Sequence, residues 1–125
     1  MPAHSPEDIH ALIAAAFTAG DLDAFLQLNE ERAAHVVPPD GEQVRGRAAL
    51  RVALAPVFAL RPAAHIEVVA KLEAGGLALT HARWTLAGTD GGRHVGMSGR
   101  GTIVSRRQPD GSWCVVLDNP MSFGV

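Results

Sequence analysis

The feature that most constrains this chain lies in its C-terminal half, where three turn sequences separate four long β-compatible stretches. Gly75-Gly76, Gly88-Thr89-Asp90-Gly91-Gly92 and Pro109-Asp110-Gly111-Ser112 supply positive φ, a preset φ, or a short side chain that caps a bend. Connections this short join antiparallel neighbours, because a parallel crossover needs about a dozen residues or more. His65 to Glu73, Leu77 to Ala87, Arg93 to Arg107 and Trp113 to Asn119 therefore read as an antiparallel meander. In the first stretch Ile66, Val68, Ala70 and Leu72 alternate with His65, Glu67, Lys71 and Glu73, so one face is apolar and the other polar. Gly96, Gly99 and Gly101 interrupt the third stretch with no helix after them, so they mark bends or bulges rather than a phosphate loop.

The N-terminal half has a different period. Ser5-Pro6-Glu7-Asp8 starts a helix: Ser5 caps free N–H groups, Pro6 suits the first turn, and the acids oppose the positive helix end. Ile9, Leu12, Ile13, Ala16 and Phe17 form one apolar stripe, and Gly20 ends it. Asp21 caps a second, short helix that turns Leu22, Phe25, Leu26 and Leu28 inward. A short strand, Ala34 to Val37, then a Pro38-Pro39-Asp40-Gly41 turn and a return strand, Glu42 to Arg45, lead through Gly46 into a third helix. That helix buries Leu50, Ala53, Leu54, Val57 and Phe58, and Pro56 predicts a kink or an early end. Three helices followed by a strand meander give an α+β fold with the helices on one sheet face.

A chain of 125 residues, 47% hydrophobic and 19% charged, suits one domain over residues 1–125 with its core at about 5–119. A formal net charge of −2, with Arg106-Arg107 the one adjacent basic pair, argues against a nucleic-acid partner. The apolar run Ala48 to Leu60 is too short to span a bilayer and carries Arg51 and Pro56, so no membrane partner is expected. Cys114 is the single cysteine, and no basic segment precedes an apolar run at the N-terminus, so the expectation is a cytoplasmic protein.

The order of these parts resembles the nuclear-transport-factor-2-like superfamily, and within it the SnoaL-like and ketosteroid-isomerase-like small bacterial proteins. The resemblance rests on Gly20-Asp21-Leu22-Asp23, the Pro-Asp-Gly turn and Arg45-Gly46-Arg47 entering a helix. Ala82 to Gly88, Arg106 to Trp113 and Leu117-Asp118-Asn119-Pro120 carry it through the meander, so it covers nearly the whole chain. It implies a cone-shaped, cystatin-like roll, a pocket between helices and curved sheet, and a homodimer built through the sheets. It does not fix an activity, because this fold hosts isomerases, cyclases, dehydratases and non-enzymatic binders.

The known steroid-isomerase residues are not matched. That family places its base after the first short strand, where this chain has Val37-Pro38-Pro39, and Asp40 falls in the turn. The chain has no tyrosine for an oxyanion hole, and Thr102-Ile103 stands where the family's neighbouring acid would be. A cyclase-type reaction needs one acid/base carboxylate in an apolar pocket, which makes Asp118 the catalytic candidate. Its other reading is a cap for the Asn119-Pro120 bend.

Strict alternation puts Cys114, Val116 and Asp118 on one face, and Ser98, Arg100, Thr102 and Val104 share a face on the preceding strand. If these faces coincide, Arg100 pairs with Asp118 in the pocket and depresses its pKa. The candidate ligand contacts are Trp84, Ser98, Arg100, Thr102 and Val116; Trp84, on the Ala82 and Leu86 face, suits core packing and pocket lining alike. The histidines show no metal-ligand spacing, Cys114 has no basic neighbour, and neither metal nor cofactor is expected. Two functions stand. One is a pocket for a small apolar molecule, with cofactor-free isomerase, cyclase or dehydratase (lyase) proton transfer. The other is a non-catalytic ligand-binding or dimerisation module. Val69, Leu77, Leu79 and Met97 on the outer sheet surface favour a homodimer.

Overall fold

The computed structural model describes residues 2–121. Helix α1 (Pro6–Ala19) begins where Ser5 Oγ accepts the Asp8 N–H at 3.1 Å and ends at Gly20, whose φ of 68° lets its N–H turn back to Phe17 O. Asp21 Oδ1 accepts the Ala24 N–H and starts α2 (Leu22–Gln27) at once. Strands β1 (Asn29–Val37) and β2 (Glu42–Arg45) precede α3 (Arg47–Ala59). Then come β3 (Ala63–Ala74), β4 (Leu77–Asp90), β5 (Arg93–Arg107) and β6 (Trp113–Asn119).

The six strands form one sheet in the order β2-β1-β6-β5-β4-β3, antiparallel throughout except for the parallel pair β1/β6. The helices cover its inner face. Ile9, Ile13, Phe25, Leu26, Leu50, Leu54 and Phe58 meet Ile103, Trp113 and Val115 there, each contributing roughly 1.5–3 kcal/mol by burial. Phe17 stacks on Phe58 with ring centroids 4.3 Å apart, and Phe25 tilts against Phe58. No helix among the described residues is long and apolar enough to cross a membrane.

Three local features depart from the sequence expectations. First, β1 begins at Asn29 rather than Ala34, because Leu28 O accepts the Val115 N–H and the Arg47 guanidinium donates to Asn29 O. Second, α3 runs through Pro56 to Ala59 instead of stopping early. The carbonyl that Pro56 cannot serve belongs to Val52, an exposed residue that water can reach.

Third, two bulges break strict alternation. In β3, Val68 opposes Ala82 but Ala70 opposes His81, so Val69 is the extra residue and Leu72 turns to the outer face opposite Leu79. In β6, Val115 opposes Ser105 but Leu117 opposes Val104, so Val116 is extra. Beyond it Asp118 joins the inner face opposite Ile103. The outer face then carries a transverse row, Leu72–Leu79–Val104–Leu117, each residue registered against the next.

Candidate functional site

Between the helices and the sheet lies a cavity of about 110 Å³. Its walls are almost wholly apolar: Ile13 and Phe17 of α1, Leu50, Leu54 and Val57 of α3, and Ile66, Trp84, Leu86 and Met97 of the meander. Among the described residues, three titratable side chains line it, His10, His35 and Asp118.

His35 and Asp118 are register partners across β1/β6, so both side chains point the same way. His35 Nδ1 lies 3.6 Å from Asp118 Oδ2. The Asp118 side chain is 14% exposed and His35 is buried. Burial pushes the Asp118 carboxyl up to about 7 and the His35 imidazole down to about 4. Both effects favour the neutral forms, so below neutrality the pair holds its proton on the carboxyl.

The other nitrogen of His35, Nε2, lies 2.6 Å from Oδ1 of Asn29, whose Nδ2 donates to Phe25 O at 2.8 Å. Across the cavity, His10 Nε2 lies 2.7 Å from Thr80 Oγ1. Thr80 in turn donates to Ile103 O, and burial lowers His10 to about 4. Trp84 Nε1 donates to Pro120 O at 2.7 Å, which ties the indole to the segment after β6.

The candidate residues separate. Asp118 and Trp84 line the cavity. Thr102 borders it, but its hydroxyl pairs with His81 Nδ1 at 2.9 Å. Ser98 and Arg100 lie in a shallow groove on the opposite sheet face with His65, Glu67 and Arg83. The expected Arg100–Asp118 pair therefore does not form: the Val116 bulge turns Asp118 inward while Arg100 stays outside. Val116 itself is not among the cavity-lining residues. Met97, expected on the outer surface, lines the cavity instead. Where the steroid-isomerase base would sit, the wall is Val37 and Pro38, and Asp40 is exposed in the turn. Burial raises the Cys114 thiol, and it does not line the cavity.

Sequence reasoning missed three residues. His10 was visible, since it stands three and seven positions before Ile13 and Phe17 on the α1 stripe. His35 and Asn29 gave no local signal, because their partners come from β6 and α2.

The SnoaL-like domain matches residues 9–116, which span every element that builds this cavity up to the bulge of β6. The chain belongs to the SnoaL-like domain family. Solved structures related to this member include a ketosteroid isomerase-like protein from Erwinia carotovora atroseptica. It shares 15% identity at a TM-score of 0.78, with 90% of this chain and 89% of that chain covered. An NTF2-like protein with a cystatin-like fold from Novosphingobium aromaticivorans gives 18% identity and a TM-score of 0.71, covering 90% and 75%. A Mycobacterium tuberculosis protein of unknown function gives 20% and 0.76, and the match covers 90% of this chain and 66% of that one. At these identities the likeness is one of fold: the NTF2-like, cystatin-like roll of helices on a mostly antiparallel sheet. No curated protein sequence matches the chain.

Proposed function

We propose that this SnoaL-like domain binds a small apolar molecule in the cavity and moves a proton on it, with Asp118 as the acid/base group. The observation that carries the reading is a carboxyl that faces an otherwise apolar cavity 3.6 Å from His35, where burial lifts its pKa to about 7. A group with a pKa near the working pH serves both as proton acceptor and as donor. The apolar walls supply affinity and exclude water, so the reaction class is isomerase-, cyclase- or dehydratase-type transfer without a cofactor. Trp84, at the rim, contacts the ligand. The protein works as a cytoplasmic homodimer, paired through the Leu72–Leu79–Val104–Leu117 row on the outer face, whose end residues Leu72 and Leu117 are 72% and 49% exposed.

The test has two stages. Apolar compounds are screened for thermal stabilisation, where a saturating ligand at about a hundred times its Kd adds about 2.7 kcal/mol. Each hit is then incubated with protein in deuterated water, and loss of a ligand C–H signal by NMR reports proton abstraction. Wild type is expected to exchange a hit, and Asp118→Asn to fold and bind but not exchange it. Exchange unaffected by Asp118→Asn overturns Asp118 as the base. Binding with no exchange for any hit favours a non-catalytic binder, and an absence of hits overturns the pocket reading.

A further inference from the structure

Asn29 is fully buried at the first position of β1, and the structure constrains it from every side. Its carbonyl takes the Arg47 guanidinium through Nε at 3.1 Å and through the second nitrogen of the fork. Its side-chain amide lies between Phe25 O and His35 Nε2. A backbone carbonyl only accepts, so the amide must turn Nδ2–H toward Phe25 and Oδ1 toward His35. Oδ1 only accepts as well, so the proton on the neutral imidazole sits on Nε2. The remaining nitrogen, Nδ1, is then a bare lone pair, and it is the one that faces Asp118 at 3.6 Å.

We infer that Asn29 is a positioning residue that locks His35 in its Nε2–H tautomer and so withholds a hydrogen-bond donor from the Asp118 carboxylate. The inference rests on the reading of Asp118 as the proton-transfer group. A histidine of the opposite tautomer would donate Nδ1–H to the carboxylate, stabilise its charged form and weaken it as a base. With Nδ1 bare, the neutral acid is the form His35 can accept a hydrogen bond from, and the carboxylate keeps its affinity for a proton. Among the described residues no donor reaches the Asp118 carboxyl oxygens. The surroundings do not offset this. Phe25 of α2 tilts against the His35 ring, Val44 of β2 and Ile103 of β5 are the register neighbours of His35 and Asp118, and Leu50 and Leu54 of α3 line the same cavity. Among the described residues, the one further titratable group lining the cavity, His10 of α1, is held by Thr80.

Nitrogen NMR of the unaltered protein near neutral pH reads the tautomer directly. The expected result is a protonated Nε2 and an unprotonated Nδ1 on His35; a protonated Nδ1 overturns the inference even if every variant fails to fold. In Asn29→Leu the amide is gone, His35 is expected to move its proton to Nδ1, and the Asp118 pKa, read from the carboxyl carbon, is expected to fall by about one pH unit. Asn29→Asp keeps an acceptor for Nε2–H and is expected to keep the wild-type tautomer, which mere loss of packing would not distinguish. An Asp118 pKa in Asn29→Leu equal to that of wild type overturns the inference. None of these readouts needs a substrate, so a failed exchange assay beside a confirmed tautomer removes the catalytic reading and leaves the positioning role standing.

Discussion

Asp118 and His35 pull stability in opposite directions with pH. The folded protein holds a proton on Asp118 up to about pH 7, whereas an unfolded chain releases it near 3.8, so between those values the folded state binds more protons. Stability contributed by this group therefore falls as pH rises, by at most about 1.4 kcal/mol per pH unit. His10 and His35, lowered from 6.5 to about 4, act the other way: their contribution is full above 6.5 and is lost as pH falls through 4. Asp118→Asn removes only the first effect. Urea unfolding at a series of pH values should show the variant gaining on wild type from about pH 4 to about pH 7, then holding a constant margin. A margin independent of pH would mean that Asp118 ionises in the fold as it does in water.

At the scale of elements, the bare backbone of β5 shapes the cavity rim. A Cβ on Gly101 would approach Pro120 Cα to 2.7 Å, and one on Gly99 would approach Trp84 Cζ2 to 2.8 Å. The chain after β6 thus lies directly across β5, and the Trp84 indole packs against Gly99 beside it. Gly101→Ala should cost about 1–3 kcal/mol, because backbone rather than a mobile side chain must give way. Urea unfolding midpoints check this, and a loss below about half a kcal/mol would mean that the 119–120 segment shifts freely.

The same strand shows what could be read in advance. The meander, its turns and the helix caps were legible because each is set by neighbours in sequence: Ser5, Gly20, Asp21 and Gly75-Gly76 act within a few residues. The two bulges were not, because an extra residue at Val69 or Val116 is defined only against the partner strand. One of them reverses the face of Asp118. The acid was therefore read on the wrong face and given the wrong neighbour, Arg100, in place of His35.

For the whole molecule, the same bulges also create the outer apolar row. Without the extra residue at Val69, Leu72 would face the helices and Lys71 would face outward; instead Lys71 reaches Glu7 of α1 at 3.0 Å and Leu72 joins Leu79, Val104 and Leu117. A charge buried at the end of the proposed apolar interface is strongly unfavourable, so Leu117→Glu should yield a monomer with an unaltered fold. Sedimentation at micromolar concentration decides it: wild type is expected as a dimer, and a monomeric wild type would remove the outer face from consideration as an interface.

The hydrogen bond from the Trp84 indole to Pro120 O has a practical consequence. The chain contains two tryptophans, and the other, Trp113, is buried at the far end of the sheet inner face, against the Ala3 backbone and outside the cavity lining. Indole emission responds to the polarity around the ring, and only one of the two rings borders the space a ligand would fill. On the proposed function, Trp84 emission should shift when a ligand fills the cavity, while Trp113 serves as an internal reference whose emission stays constant until the fold itself opens.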